Sequence, residues 1–220
     1  MTQIQAILFD YGQVLSTPPD PAAWQRMRTI TGLDEDTLHR EYWAPRHDYD
    51  RGDLTGETYW KLLTSKAGLS ITPEQLTALI DADTDLWAQL NTPMVDWAQR
   101  LQRAGMRTGI LSNMPDAMEA GLRARHHWIE AFDHNTWSHS LNLAKPEPEI
   151  YHHAAEGLRT PHANILFIDD KPENIAAAIA TGMQAIQYSD HATFEHEMET
   201  RGLDYLLQLQ GSTDSQIGKI

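Results

Sequence analysis

The chain has 220 residues, enough to bury a sizeable core as one large domain or as a core with a small insert. Its 17 basic residues against 31 acidic ones give a formal net charge of −14, which argues against nucleic acid or an anionic membrane as partner. A phosphorylated substrate stays open, because a bound divalent cation reverses the local field, whereas the lack of cysteine excludes disulfides, thiolate chemistry and cysteine-ligated zinc.

The first residues carry no basic region, signal core or cleavage site, and no apolar run approaches membrane-spanning length. A soluble, cytoplasmic protein is expected. Ile4 to Phe9 is a continuous apolar run of the kind buried on both faces of a parallel sheet, and it ends at a single carboxylate, Asp10, with Gly12 two residues on. Ligands of open α/β sheets bind outside the carboxyl ends of the strands, so Asp10 stands where a nucleophile or metal ligand belongs. Gly12 is expected to give the tight turn that brings a backbone carbonyl close to the ligand.

After the breaker cluster Ser16-Thr17-Pro18-Pro19, Asp20-Pro21 supplies an N-cap and a first-turn proline for a helix that stops at Gly32. A second helix is expected over residues 36–43, a loop from Pro45 to Gly52, and a third helix from Thr55 to Gly68. Thr72-Pro73-Glu74-Gln75 combines N-cap, proline and capping-box glutamine and opens a fourth. Residues 17–91 therefore read as an all-helical insert, and residues 1–16 with 92–220 as the surrounding core. The insert holds four of the seven tryptophans, which are expected to pack as its core.

From Thr92 the pattern alternates. A helix ends at Gly105, the strand Met106–Leu111 stops at Ser112-Asn113, and a helix from about Asp116 leads to a weak strand near His134–Ser138. Lys145-Pro146-Glu147-Pro148 precedes a helix ending near Gly157, and Ile165–Ile168 is a second fully buried strand, closed by Asp169-Asp170. An alanine-rich helix over residues 174–181 and a strand over residues 184–188 follow, and the polar residues after about Gln208 are expected to fray. The fold class is α/β: a doubly wound, Rossmann-like parallel sheet with a small all-helical cap. In such a sheet Asp10, Ser112-Asn113, Lys145 and Asp169-Asp170 share one edge and converge on one pocket. No histidine pair has helical metal-ligand spacing, and neither a G-x-S-x-G elbow nor a glycine-rich dinucleotide loop is present.

In order and context these four motifs resemble those of the haloacid dehalogenase superfamily. Phe9-Asp10-Tyr11-Gly12-Gln13-Val14-Leu15 is similar to its first motif, Leu111-Ser112-Asn113 to the second, Lys145 to Tyr151 to the third and Phe167-Ile168-Asp169-Asp170 to the fourth. The resemblance spans the chain and implies a metal-assisted phosphatase, with the residues between the first two motifs as the cap. It implies Asp10 as covalent nucleophile. It further implies Mg2+ held by Asp10, the Gly12 carbonyl and Asp170, with Asp169 supporting it directly or through water. Ser112 and Asn113 would donate to phosphate oxygens and Lys145 would offset negative charge. Asn174 would orient a water or Asp170.

One departure matters. Most phosphatases of the superfamily carry a second aspartate, two residues after the nucleophile, as general acid and base, a role worth roughly 10²–10⁴-fold; the position is Gly12 in this chain. A branch of sugar-phosphate phosphatases with Asp-x-Gly-x-Val in this motif looks similar. Three readings follow: a phosphatase acting on a small phosphomonoester such as a sugar phosphate; a dehalogenase, which needs neither second aspartate nor cation; and a catalytically weak phosphate-binding protein. In the charged stretch 46–52, Arg46, His47 and Arg51 are candidates to contact substrate, and His47, Asp48 or Asp50 to replace the missing acid.

Overall fold

The structure, a computed structural model, describes residues 3–209, so the polar tail expected to fray falls almost wholly outside the described residues. Five parallel strands form one sheet: β1 (Ala6–Phe9), β2 (Arg107–Ser112), β3 (His134–Trp137), β4 (Ile165–Asp169) and β5 (Gln184–Gln187), in the order β3-β2-β1-β4-β5. The chain builds outward from β1 on one side, then returns to β1 and builds outward on the other. That reversal opens a crevice beyond the carboxyl ends of β1 and β4.

The apolar runs are continuous because both faces of the sheet are covered. Ile7, Phe9, Ile110 and Ile168 point into one core, while Leu8, Leu111, Ile165 and Phe167 point into another.

Five helices form a block after β1: α1 (Pro21–Thr31), α2 (Glu35–Trp43), α3 (Arg46–Arg51), α4 (Gly56–Lys66) and α5 (Pro73–Leu86). The expected caps are formed: Asp20 accepts from Ala22 N at 2.9 Å, and Thr72 and Gln75 bond reciprocally. The expected loop from Pro45 to Gly52 is instead helix α3. Its sequence hides it, since Tyr49 is its single apolar residue and no periodicity can show. This block has its own core of Met27, Leu38, Tyr42, Trp60 and Leu79, with Tyr49 stacked on Tyr59 at 4.2 Å. The chain enters and leaves the block side by side, through a Ser16–Leu90 bridge and a bond from Asn91 N to Leu15 O of 2.9 Å.

The remaining helices are α6 (Thr92–Arg103), α7 (Asp116–Arg125), α8 (Ser138–Leu141), α9 (Pro148–Gly157), α10 (Pro172–Ala180) and α11 (His191–Thr200). Trp97 of α6 and Phe194 of α11 pack on one face of the sheet, and Tyr151 of α9 and Ala178 of α10 on the other. Neither α8 nor α11 was expected from the sequence. Only Phe194 and Met198 of α11 are buried, though Asp190 caps it by accepting from Thr193 N at 2.9 Å.

The block meets the sheet domain along a tight seam. Gly52 ends α3 at φ 92°, and a Cβ there would fall on the His139 carbonyl oxygen and 2.8 Å from its Cα. Ser138 Oγ bonds the Asp50 carbonyl, and Arg51 pairs with Glu147 across the same seam. By contrast Gly32, at φ 69°, has open space where a Cβ would stand. Gly32→Ala should therefore cost only the left-handed backbone penalty of about 1–2 kcal/mol. Gly52→Ala adds overpacking, for roughly 2–5 kcal/mol in all. Urea unfolding of the two variants checks the seam, and equal losses would mean that the close approach at His139 does not hold.

Candidate active site

Asp10, Ser112, Asn113, Asp169 and Asp170 stand at a strand end or just beyond it, Lys145 comes from the loop between α8 and α9, and Asn174 from the first turn of α10. Asp10 follows β1, its N–H bonded to Ile168 O of β4 at 2.8 Å, which ties the nucleophile candidate to the neighbouring strand. The sharp turn lies one residue later than expected: Gly12 sits at φ −62°, and Gln13, a residue with a Cβ, takes the left-handed conformation at φ 58°. Asp169 is the last residue of β4 and Ser112 the last of β2.

Lys145 joins the parts. Its Nζ lies 2.8 Å from Asp10 Oδ1 and 2.6 Å from Asp169 Oδ2, and all three side chains are buried. Burial alone would pull the ammonium pKa down, but Asp10 and Asp169 overcome it and hold it above the usual lysine value. Asn113 positions Lys145 by bonding its backbone twice, accepting from Lys145 N at 2.8 Å and donating to Lys145 O at 2.9 Å.

Asp169 is fully buried. It accepts from Lys145, from Lys171 N at 2.8 Å and from Asn174 Nδ2 at 3.0 Å to each oxygen. Asn174 thus orients Asp169, where Asp170 or a water was expected. Asp170 is half-buried, and one of its oxygens accepts from Gln13 Nε2 at 2.6 Å, a contact that the sequence did not suggest.

Asp10, Asp169 and Asp170 can each place a carboxylate oxygen within 4.8 Å of the others. Burial first, and then the neighbouring acids, push the Asp10 carboxyl up to about 6 despite Lys145; burial and Asp169 likewise raise Asp170. Three carboxylates against one buried ammonium is a donor set that fits a hard divalent cation such as Mg2+. Asp10, Gly12 and Asp170 line the cavity in front of this cluster, whereas Asp169, saturated with hydrogen bonds, stands behind it.

The cavity has a volume of about 90 Å³ and is also lined by Ser112, Asn113 and Lys145. From the helical block come Trp43, Arg46, Asp50 and Trp87. Arg46 is buried, with Nε 2.6 Å from Asp50 Oδ1 and a terminal nitrogen bonded to Tyr42 and 3.3 Å from Asp83 Oδ1. His47 and Asp48, by contrast, are exposed and line no part of the cavity, and Arg51 turns to Glu147. The helical register of α3 separates them: Arg46, Tyr49 and Asp50 lie on its inward side at i, i+3 and i+4, and His47 and Asp48 point out. Nor are all tryptophans of the block core residues, since Trp43 and Trp87 face the cavity. Trp87 stands over Gly12, its ring 3.7 Å from where a Cβ would be.

A family model described as haloacid dehalogenase-like hydrolase matches residues 4–182. The sesquiterpene phosphatase astK of Aspergillus oryzae is 27% identical over 192 residues, 86% of this chain and 92% of that protein. The (S)-2-haloacid dehalogenase 1 of Pseudomonas sp. is 26% identical over 85% of each chain. Other relatives are longer proteins, of which this chain spans 38–42%. Among solved structures, an enzyme from Bacteroides thetaiotaomicron superposes with a TM-score of 0.76 at 18% identity, over 90% of this chain and 99% of that one. The same enzyme in complex with magnesium and inorganic phosphate gives 0.72 at 19% identity, over 87% and 98%.

A carboxyl group that titrates near 6 makes cation binding pH-dependent in a defined sense. Below about pH 6 the proton competes for Asp10; above it the carboxylate is free to bind. Saturating Mg2+, at a hundredfold excess over Kd, should add about 2.7 kcal/mol of stability at pH 8. The shift in Tm should shrink as pH falls through 6 and vanish in Asp170→Ala. Differential scanning calorimetry at pH 5, 6.5 and 8 checks this, and a shift independent of pH would place the cation elsewhere.

Proposed function

The chain belongs to the haloacid dehalogenase-like hydrolase family, and from that premise we propose that it is a Mg2+-dependent phosphatase acting on a small phosphomonoester through an aspartyl-phosphate. The carrying observation is the cluster of Asp10, Asp169 and Asp170 around Lys145. A dehalogenase has no use for a cation, and Asp170 on the cavity wall would repel the carboxylate of a haloacid. A phosphatase relative and a structural neighbour solved with magnesium and phosphate support the same reading.

The cation, when bound, neutralises charge between the carboxylates and the phosphoryl oxygens. The residues of the chain do the rest. Asp10 Oδ1 is held by Tyr11 N at 2.7 Å and by Lys145, which assigns Oδ2 to the attack on phosphorus. As that bond forms, the bond from phosphorus to the alcohol oxygen breaks, and the departing oxygen takes a proton from water. A second water then attacks phosphorus, the bond to Asp10 breaks, and phosphate leaves with the carboxylate restored. Lys145 holds its positive charge beside the reacting carboxylate throughout, and Ser112, on the wall beside it, is assigned to a phosphoryl oxygen.

Asp50 is the one cap candidate for the missing acid that lines the cavity. Burial raises its pKa above the usual carboxylate value in spite of Arg46, but its Oδ1 is committed to Arg46 Nε at 2.6 Å, and departure of the alcohol is assigned no acid assistance.

Asp10→Asn should keep the fold and lower turnover of phosphomonoesters by at least about 10³-fold. A panel of phosphomonoesters and haloacids, assayed with and without chelator, tests the reaction class. Chelator-resistant release of halide would favour the dehalogenase reading, and turnover of neither class the phosphate-binding one. Without an acid at position 12, aryl phosphates with acidic leaving groups should outpace alkyl ones steeply. The best should show a burst of alcohol, as hydrolysis of the common intermediate becomes limiting. A shallow dependence that turns steep in Asp50→Asn would instead identify Asp50 as the acid.

A further inference from the structure

The cavity in front of Asp10 is small. At about 90 Å³ it falls well below the roughly 300–1,000 Å³ of typical ligand pockets. It holds little beyond a phosphoryl group, so the alcohol portion of a substrate has to lie outside it. The walls leading out are apolar for the most part: Trp43 and Trp87 from the helical block, Met114 and Met118 from the segment after β2. Of the polar residues that also line the cavity, Arg46 Nε bonds Asp50 Oδ1 at 2.6 Å and Gln13 Nε2 bonds Asp170 at 2.6 Å, while Lys171 is exposed. A sugar needs several polar groups placed to meet its hydroxyls, and the helical block turns Trp43 and Trp87 toward the cavity in their place.

Trp43 is the last residue of α2, and 43% of it is exposed, unusual for so large an apolar side chain. It lines a second concavity on the outside of the block as well, about 510 Å³ in volume, together with Pro19, Pro21, Trp24, His39 and Leu86. The rings of Trp24, His39 and Trp43 follow one another at 6.2 and 6.3 Å between centroids, forming one aromatic strip. Leu86 belongs to this outer groove and the next residue, Trp87, to the cavity, so the two spaces adjoin along a shared wall. The polar groups at the groove have partners of their own. Glu35 accepts from Trp24 Nε1 at 2.7 Å, and Gln25 from Arg28 at 3.1 Å.

Building on the phosphatase reading, we propose that the substrate is the phosphate monoester of an extended apolar alcohol. Its phosphoryl group sits at Asp10, and its chain runs past Trp43 into the groove formed by Pro19, Pro21, Trp24 and Leu86. The occupant follows from adjacency: Trp43 lines both the groove and the phosphoryl-sized cavity, and a chain tethered in the cavity covers its exposed face. This replaces the sugar moiety suggested by the first motif.

Linear n-alkyl phosphates from butyl to decyl, each below its micelle concentration, test this directly, because their leaving groups have nearly equal acidity. The expected result is a rise in kcat/KM of about two- to fourfold per methylene, carried by KM, until the chain outgrows the groove. Octyl phosphate should surpass glucose 6-phosphate. Trp24→Ala should flatten the slope. A flat series, a preference for the sugar phosphate, or an unchanged slope in Trp24→Ala would each overturn the proposal. If no phosphomonoester turns over, 4-nitrophenyl phosphate included, the phosphatase reading fails on its own. The groove is then read by calorimetry of n-alkylphosphonates with the Mg2+-loaded protein: affinity rising with chain length supports it, and equal affinities overturn it.

Discussion

The ammonium of Lys145 between Asp10 and Asp169 is the interaction on which the site depends. Charges so deeply buried are tolerated only when paired and hydrogen-bonded, and each member of this trio meets that condition in its own way. Asp169 is saturated by Lys145, Asn174 and the Lys171 N–H. Asp10 is tied to the backbone of Tyr11 and to β4. Lys145 itself is held in place by the side chain of Asn113. Residues far apart in sequence therefore fix one another, and removing Lys145 would leave two buried carboxylates without their cation. The balance is incomplete by design of the sequence: Asp170 adds a further negative charge, and only a cation at the cavity evens the sum.

Sheet geometry makes this convergence possible. With β1 at the centre and the chain reversing direction around it, the ends of β1, β2 and β4 open on one crevice. The continuous runs at Ala6–Phe9 and Ile165–Ile168 made these strands readable in the sequence, because burial on both faces demands apolar residues throughout. The motif carboxylates were readable for the same reason, since a charge ending such a run has no other place to go. Capped helices such as those beginning at Pro21 and Pro73 were equally clear from their N-terminal residues.

What escaped the sequence has physical causes. Helix α3 buries Arg46 and Tyr49 while exposing His47 and Asp48, a pattern in which Arg46 pairs with Asp50 one turn on and with Asp83 of α5, and which leaves no hydrophobic period. Helix α11 packs through two residues only. The contact of Gln13 with Asp170 depends on a left-handed backbone at a residue with no special preference for it. Trp43 and Trp87 looked like core because aromatic residues at helical spacing usually are; Trp87 does pack against the block's core, but both residues also line the cavity, and which face of the block turns toward it depends on contacts remote in sequence.

The side-by-side entry and exit of the helical block, joined at Ser16 and Leu90, bears on how such a protein diversifies. A chain segment whose two ends already touch is a closed loop as far as the sheet is concerned, and its length is nearly free: doubling it would cost only about 0.6 kcal/mol in closure entropy. Insertions, deletions or wholesale exchange of helices between those two residues leave the spacing of Asp10 from Ser112, Lys145 and Asp169 untouched. The bridge thus lets the helices over the cavity change without displacing the strand ends that carry the carboxylates.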